Sequence, residues 1–233
     1  MPLGSKNMCN STRHAITKGT ELPSIDLFPI ADQVTFKYYT GVLAFFEENY
    51  AVAESELSFA FDRCMVGGAD AERLILSYLI PIRFLKGCYP HQDLFTKYPA
   101  MEHLYGDFAL AIRRGDLGLF DRAFDRLQRP LCRRGTWFTV EKAREVVIAT
   151  MMKKVWMLEN SPTRLPLTKV QQALRLSGND SDIPEVECVV ANLIDKGFVR
   201  GYIAHQSGMI VLAADGRPFV APQTVAAASR SAS

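Results

Sequence analysis

From Val34 to about residue 160 the apolar side chains of this chain return at every third or fourth position. That period marks one face of a helix, and a chain that keeps it so long must stack helices on helices. Phe36, Tyr39, Val42, Leu43 and Phe46 form a first stripe; Glu48-Asn49-Tyr50 interrupts it; Ala53, Leu57, Phe59, Ala60, Phe61 and Cys64 restart it. Small alanines among aromatic residues at this spacing predict two closely packed helices of the tetratricopeptide type, the second stopped at Gly67-Gly68. Residues 71–86 predict a third, with Pro81 removing a backbone donor and kinking it. Further helical stretches fall at 92–97, 102–114, 117–127 and 140–158, joined by the short connections that stacked helix pairs require. No strand alternation breaks the series.

After Leu165 the character changes. A short amphipathic helix over 167–176 stops at Gly178-Asn179, and Asp182-Ile183-Pro184-Glu185 has the form of a capping box with proline in the first turn. Val186, Val189, Val190, Leu193 and Ile194 make the buried stripe of that next helix, which Gly197 ends. Two β-rich runs, 198–204 and 209–213, flank His205-Gln206-Ser207-Gly208, predicting a hairpin with glycine in its turn. Helix, capped helix and hairpin in this order are a winged helix. The expected layout is mainly α: a loose leader over 1–33, a helical-repeat part over 34–160, a winged helix over 161–220 and a flexible tail over 221–233.

The net charge of +2 hides an asymmetry. Between Arg113 and Arg175 there are fourteen lysines and arginines against six acids, a balance of +8 that leaves −6 for the rest of the chain. Such a block suits a polyanion or an acidic protein partner. It equally suits solvated helix faces, since Asp121, Arg122, Asp125 and Arg126 interleave at ion-pairing distance along a helix. The five cysteines, Cys9, Cys64, Cys88, Cys132 and Cys188, are odd in number and scattered, which predicts reduced thiols in a cytoplasmic or nuclear setting. No run of eighteen apolar residues offers a membrane-spanning helix.

Catalytic motifs are thin. There is no Walker-type loop, Rossmann glycine fingerprint, Gly-x-Ser-x-Gly elbow or His-Glu-x-x-His. Cys88, His91 and His103 lack a second tight ligand pair, so neither metal nor cofactor is expected. Gly115-Asp116-Leu117-Gly118 has the Gly-x-x-Gly form of an RNA-clamping loop but, outside its strand context, reads as a helix stop and restart. His205 reads as a strand-end cap or turn contact. The expectation is a protein without catalytic activity.

A helical-repeat stack running directly into a winged helix resembles the PCI domain shared by proteasome-lid, signalosome and initiation-factor scaffolds. The strings Phe36-Lys37-Tyr38-Tyr39-Thr40-Gly41, Ser58-Phe59-Ala60-Phe61, Leu76-Ser77-Tyr78-Leu79-Ile80-Pro81-Ile82-Arg83 and Lys153-Lys154-Val155 sharpen the likeness. So do Glu185-Val186-Glu187-Cys188, Ala191-Asn192-Leu193-Ile194 and Lys196-Gly197-Phe198-Val199-Arg200-Gly201-Tyr202-Ile203-Ala204-His205. Over residues 34–220 they resemble the group of PCI-domain-containing protein two, Thp-one and signalosome-twelve-like proteins. The resemblance implies a non-enzymatic scaffold of the nuclear transcription-coupled mRNA export complex, located in the nucleus including the pore region, with some in the cytoplasm. It implies pairing through the winged helix with a larger PCI scaffold, binding of a small acidic Sem/DSS-type protein, and a basic surface for nucleic acid. Family members carry more N-terminal helices, so this chain reads as a fragment or a shortened paralog. It also departs from the group at Ala149-Thr150-Met151-Met152 and in the reduced ending Pro218-Phe219-Val220.

Within the winged helix, residues 183–196 occupy the place of a groove-reading helix but present Glu185, Glu187, Asn192 and Asp195, which phosphates would repel. Phosphate contacts without sequence information are expected instead from Lys153, Lys154, Arg164, Lys169, Arg175 and Arg200. For Lys153-Lys154 the competing reading is complementation of the C-terminal end of a helix dipole. A protein partner is expected on the hairpin at Phe198, Tyr202, Met209 and Val211, with 209–213 as the edge strand.

Overall fold

The computed structural model describes residues 24–64 and 69–228. The predicted Gly67-Gly68 stop, Cys9, most of the leader and residues 229–233 lie outside them. The chain divides into two compact units, one up to Ile82 and one from Arg83 onward.

The first unit contains α1 (Ile30–Phe46), α2 (Tyr50–Arg63) and most of α3 (Ala69–Leu85). Helix α1 starts inside the stretch expected to be loose, after a single 3₁₀ turn at Ile25–Leu27. Asn49 caps α2, its side chain accepting from the Val52 amide. Val42, Phe45, Leu57 and Ala60 form the shared core with Ile75 and Leu79 of α3. Phe45 meets Tyr78 edge to face at 5.1 Å. Tyr39, placed on the buried stripe by its spacing, is 58% exposed, because burial in α1 is confined to its second half, Thr40 to Phe45. Pro81 sits inside α3 without ending it.

The second unit begins with α4 (Gln92–Lys97), α5 (Pro99–Arg114), α6 (Leu117–Arg134), α7 (Trp137–Lys142) and α8 (Arg144–Leu158). Between α5 and α6 the chain does stop and restart. Gly115 takes the left-handed conformation (φ 62°) that closes a helix, and the Asp116 carboxylate accepts from the Leu119 amide at 2.8 Å. Helix α6 continues through Pro130 to Arg134, beyond the expected end at 127, because Leu131 extends its buried stripe. The expected single helix over 140–158 is two, stepping at Ala143. Phe108 of α5 and Phe120 of α6 pack edge to face at 5.1 Å within the core.

The winged helix follows as β1 (Arg164–Pro166), α9 (Leu167–Leu176), α10 (Ile183–Asp195), β2 (Gly201–Ala204) and β3 (Met209–Leu212). Both halves of the capping box on α10 form: Asp182 accepts from the Glu185 amide, and Glu185 accepts from the Asp182 amide. The antiparallel sheet has the order β1-β3-β2. Residues 209–212 are therefore the central strand, which corrects the expected edge; the short connector containing Arg164 closes the side they were thought to leave open. Arg164 pairs with Val211 and Leu165 with Ile210, while Tyr202 faces Val211 from the other side. The expected frayed tail includes a further helix, α11 (Pro222–Ala228), where Gln223 Nε2 donates to Cys88 Sγ at 3.5 Å.

Candidate partner and nucleic-acid surfaces of the winged helix

Alternation along the strands sorts the sheet into two faces. Leu165, Ile210 and Leu212 point into the core, and the residues next to them along each strand point outward. The outward row brings Tyr202, Val211 and Arg164 side by side, with Met209 in the next row. Tyr202 is 62% exposed and Val211 and Met209 are half-buried. Three of the four residues expected to meet a partner thus share one open face. Phe198 does not join them. At 6% exposure it belongs to the core, its amide donating to the Leu193 carbonyl at the end of α10 and its carbonyl accepting from Val220.

That last bond belongs to a feature the sequence did not signal. Residues 218–220 run beside 198–200 through a bridge between Val199 and Phe219 and the bond from the Arg200 amide to the Pro218 carbonyl. Phe219 then packs on Trp156 of α8, ring centres 5.5 Å apart, and Trp156 Nε1 donates to the Pro162 carbonyl at 2.9 Å. The truncated-looking Pro218-Phe219-Val220 ending ties the wing to the helical stack.

The six expected phosphate-binding cations are distributed rather than clustered. Lys153 and Lys154 are exposed on α8 but lie before its last turn, so they do not complement the end of their own helix. Lys154 Nζ instead donates to the carbonyl of Arg114, the last residue of α5, at 2.7 Å. Lys169 on the first turn of α9 pairs with Glu159 at 2.9 Å, and Arg175 on its last turn pairs with Asp180 at 2.9 Å. Arg200, ahead of β2, pairs with Asp215. Arg164 and Arg200 stand toward opposite sides of the sheet. Exposed pairs of this kind contribute about 0–1 kcal/mol each, so a phosphate can displace the carboxylate at little cost.

Helix α10 offers little to a base edge. Glu187 is turned to the wing, where its carboxylate meets His205 Nδ1 at 2.8 Å, and His205 opens the 3₁₀ turn between the strands. Glu185 is held by the capping box, and Asn192 and Asp195 remain exposed. Among the described residues no group of three His, Cys, Asp or Glu side chains is arranged to hold a metal ion. No helix among them is long and apolar enough to cross a membrane.

Helices leading into a winged helix with this sheet point to one class, and residues 119–213 match the PCI domain. Within that class it is similar to proteins named CSN12 homolog and PCI domain-containing protein 2. It is 38% identical to the Protein CSN12 homolog of Mycosarcoma maydis over 97% of this chain and 52% of that protein. It is 36% identical to the PCI domain-containing protein 2 homolog of Drosophila melanogaster over 80% of this chain and 47% of that protein. Against the Enhanced ethylene response protein 5 of Arabidopsis thaliana the identity is 35%, over 90% of this chain and 51% of that protein. The chain spans about half the length of the curated relatives it matches.

Proposed function

We propose that the chain is a non-enzymatic PCI scaffold subunit of a nuclear, transcription-coupled mRNA export complex. It pairs through the outer face of its winged-helix sheet with a larger PCI scaffold, binds a small acidic Sem/DSS-type protein, and adds sequence-independent phosphate contacts to the assembly. The observation that carries the reading is the open row Tyr202, Val211 and Arg164 with Met209 beside it, an apolar strip edged by a cation. Interfaces draw their affinity from such aromatic and aliphatic anchors, with charge at the rim. The pairing is tested by co-purifying the chain with a co-expressed PCI partner: a Tyr202→Ala/Val211→Asp variant loses the partner while its melting temperature stays near wild type. Retention of the partner by a folded variant refutes the proposed face.

The nucleic-acid component is tested on the assembly by RNA titration across a salt series. Charge reversal at Lys153, Lys154, Lys169 and Arg175 should weaken a binding that also falls steeply with salt. A second reading is a protein-only scaffold of a signalosome-like complex. The pairing of Lys169, Arg175 and Arg200 with carboxylates favours it, and failure of the wild-type assembly to bind RNA would establish it.

A further inference from the structure

A different surface carries a row of cations that its own helix does not neutralise. Arg122, Arg126, Arg129 and Arg133 recur along α6 at steps of three and four, which at about 100° per residue puts all four within about 60° of arc over about 16 Å of helix. All four are exposed. The acids of the same helix do not neutralise them. Asp121 is engaged by Arg144 of α8, whose Nε and Nη2 reach its two oxygens at 2.8 and 2.9 Å; that double hydrogen bond raises the Arg144 pKa. Asp125 borders the row without an ion pair to any arginine. Only Arg126 has a carboxylate, Asp107 of α5 at 2.6 Å. Arg122, Arg129 and Arg133 make no ion pair among the described residues. The expected interleaved salt-bridged face is therefore absent, and the arginines form a row of their own.

The row also has a direction. One turn before Arg122, Gly118 lies against the Ser177 carbonyl at the end of α9; a Cβ at 118 would stand 2.5 Å from that oxygen. Arg175 is two residues from Ser177, so the row on α6 points to the last turn of α9.

We propose that this row is a track for the sugar–phosphate backbone of a single nucleic-acid strand, distinct from the six cations expected on α8 and the winged helix. Three features select that ligand. The cations are all arginine, whose planar fork holds phosphate in two-bond geometry. The row is one residue wide and meets one backbone, whereas a duplex presents two. No large apolar side chain of α6 is exposed, so the anchors that an acidic protein partner would need are missing, while a polyanion needs none. The track goes beyond the winged-helix reading, since it requires none of that surface's residues.

The test is fluorescence anisotropy of labelled polyuridine RNA with the whole chain over a salt series. A variant R122Q/R129Q/R133Q leaves the Arg126–Asp107 pair in place. It should weaken binding at least about tenfold and lower the slope of log affinity against log salt by about 2, three phosphate contacts at about 0.7 each. R122K/R129K/R133K should keep most of the slope, and circular dichroism melts should coincide. Wild-type affinity in the glutamine variant overturns the track, as does failure of wild type to bind any strand. Loss of polyglutamate binding with polyuridine binding intact overturns it in favour of an acidic protein. Loss only in the variant reversed at Lys153, Lys154, Lys169 and Arg175 overturns the track and leaves the winged-helix reading standing; loss only in the arginine variant does the opposite.

Discussion

On α6, Arg122, Arg129 and Arg133 stand without a bound carboxylate, whereas on the winged helix Lys169, Arg175 and Arg200 each hold one, from Glu159, Asp180 and Asp215. The wing's partners arise nearby in sequence, in the connectors that flank α9 and β3. The acids nearest the α6 row are either drawn to another helix, as Asp121 is by Arg144, or left unpaired, as Asp125 is. Two surfaces with a comparable number of cations therefore differ in what they present to solvent. Charge that ties connectors to helices holds a fold in place; charge left standing in a row offers itself to something outside.

Three perturbations bear on that contrast. The largest effect is expected from Gly118→Val, because the Ser177 main chain cannot yield to the new side chain. A loss of about 2–3 kcal/mol, read as a lower denaturation midpoint, would mark α6 and the end of α9 as one rigid support shared by both surfaces. Asp182→Ala removes the cap of α10 and should cost about 1 kcal/mol without altering RNA affinity. A matching fall in affinity would mean that the two surfaces are not separable from stability. The smallest effect is expected from releasing the wing's cations with Glu159→Gln, Asp180→Asn and Asp215→Asn. RNA affinity should rise only a few-fold and stability fall by no more than about 1 kcal/mol per pair. A rise as large as the loss on removing the α6 arginines would erase the distinction.

One group in the first unit provides a pH marker. Burial, with nearby Tyr78 and Tyr39, pushes the Tyr38 phenol up to about 12. The folded state therefore favours the neutral ring, and its contribution to stability is intact below pH 10 and lost as pH rises from 10 to about 12. An alkaline titration of phenolate absorbance should show a late tyrosine that disappears in Tyr38→Phe.

Periodic and local features were legible before the structure. The helical stack and the winged helix follow from spacing alone; the Asp182 capping box and the Gly115 stop with its Asp116 restart follow from residues within one turn of each other. What escaped depends on long-range neighbours. Strand β1 has only three residues, one of them proline, so it shows no alternation, and without it the strand order could not be read. Phe198 looked like a strand residue open to a partner until the turn after α10 folded it inward. The helix expected to end at 127 runs on past Pro130 because Leu131 extends its buried stripe. The balance of the basic block was countable, but which cations stay unpaired is decided by helices that approach from elsewhere, as α8 does at Asp121.

Strand β1 also sets where the chain can be cut. A fragment designed to isolate the winged helix would naturally begin at Leu167, the first residue of a well-formed helix. That choice discards Leu165, which is 0% exposed, and the Thr163 carbonyl that accepts from the Leu212 amide. Strand β3 would be left with a bare row of donors and acceptors, the template on which a second copy builds. Self-association of such a fragment would be a product of the scissors, and a boundary ahead of Trp156 would keep both the strand and its anchor.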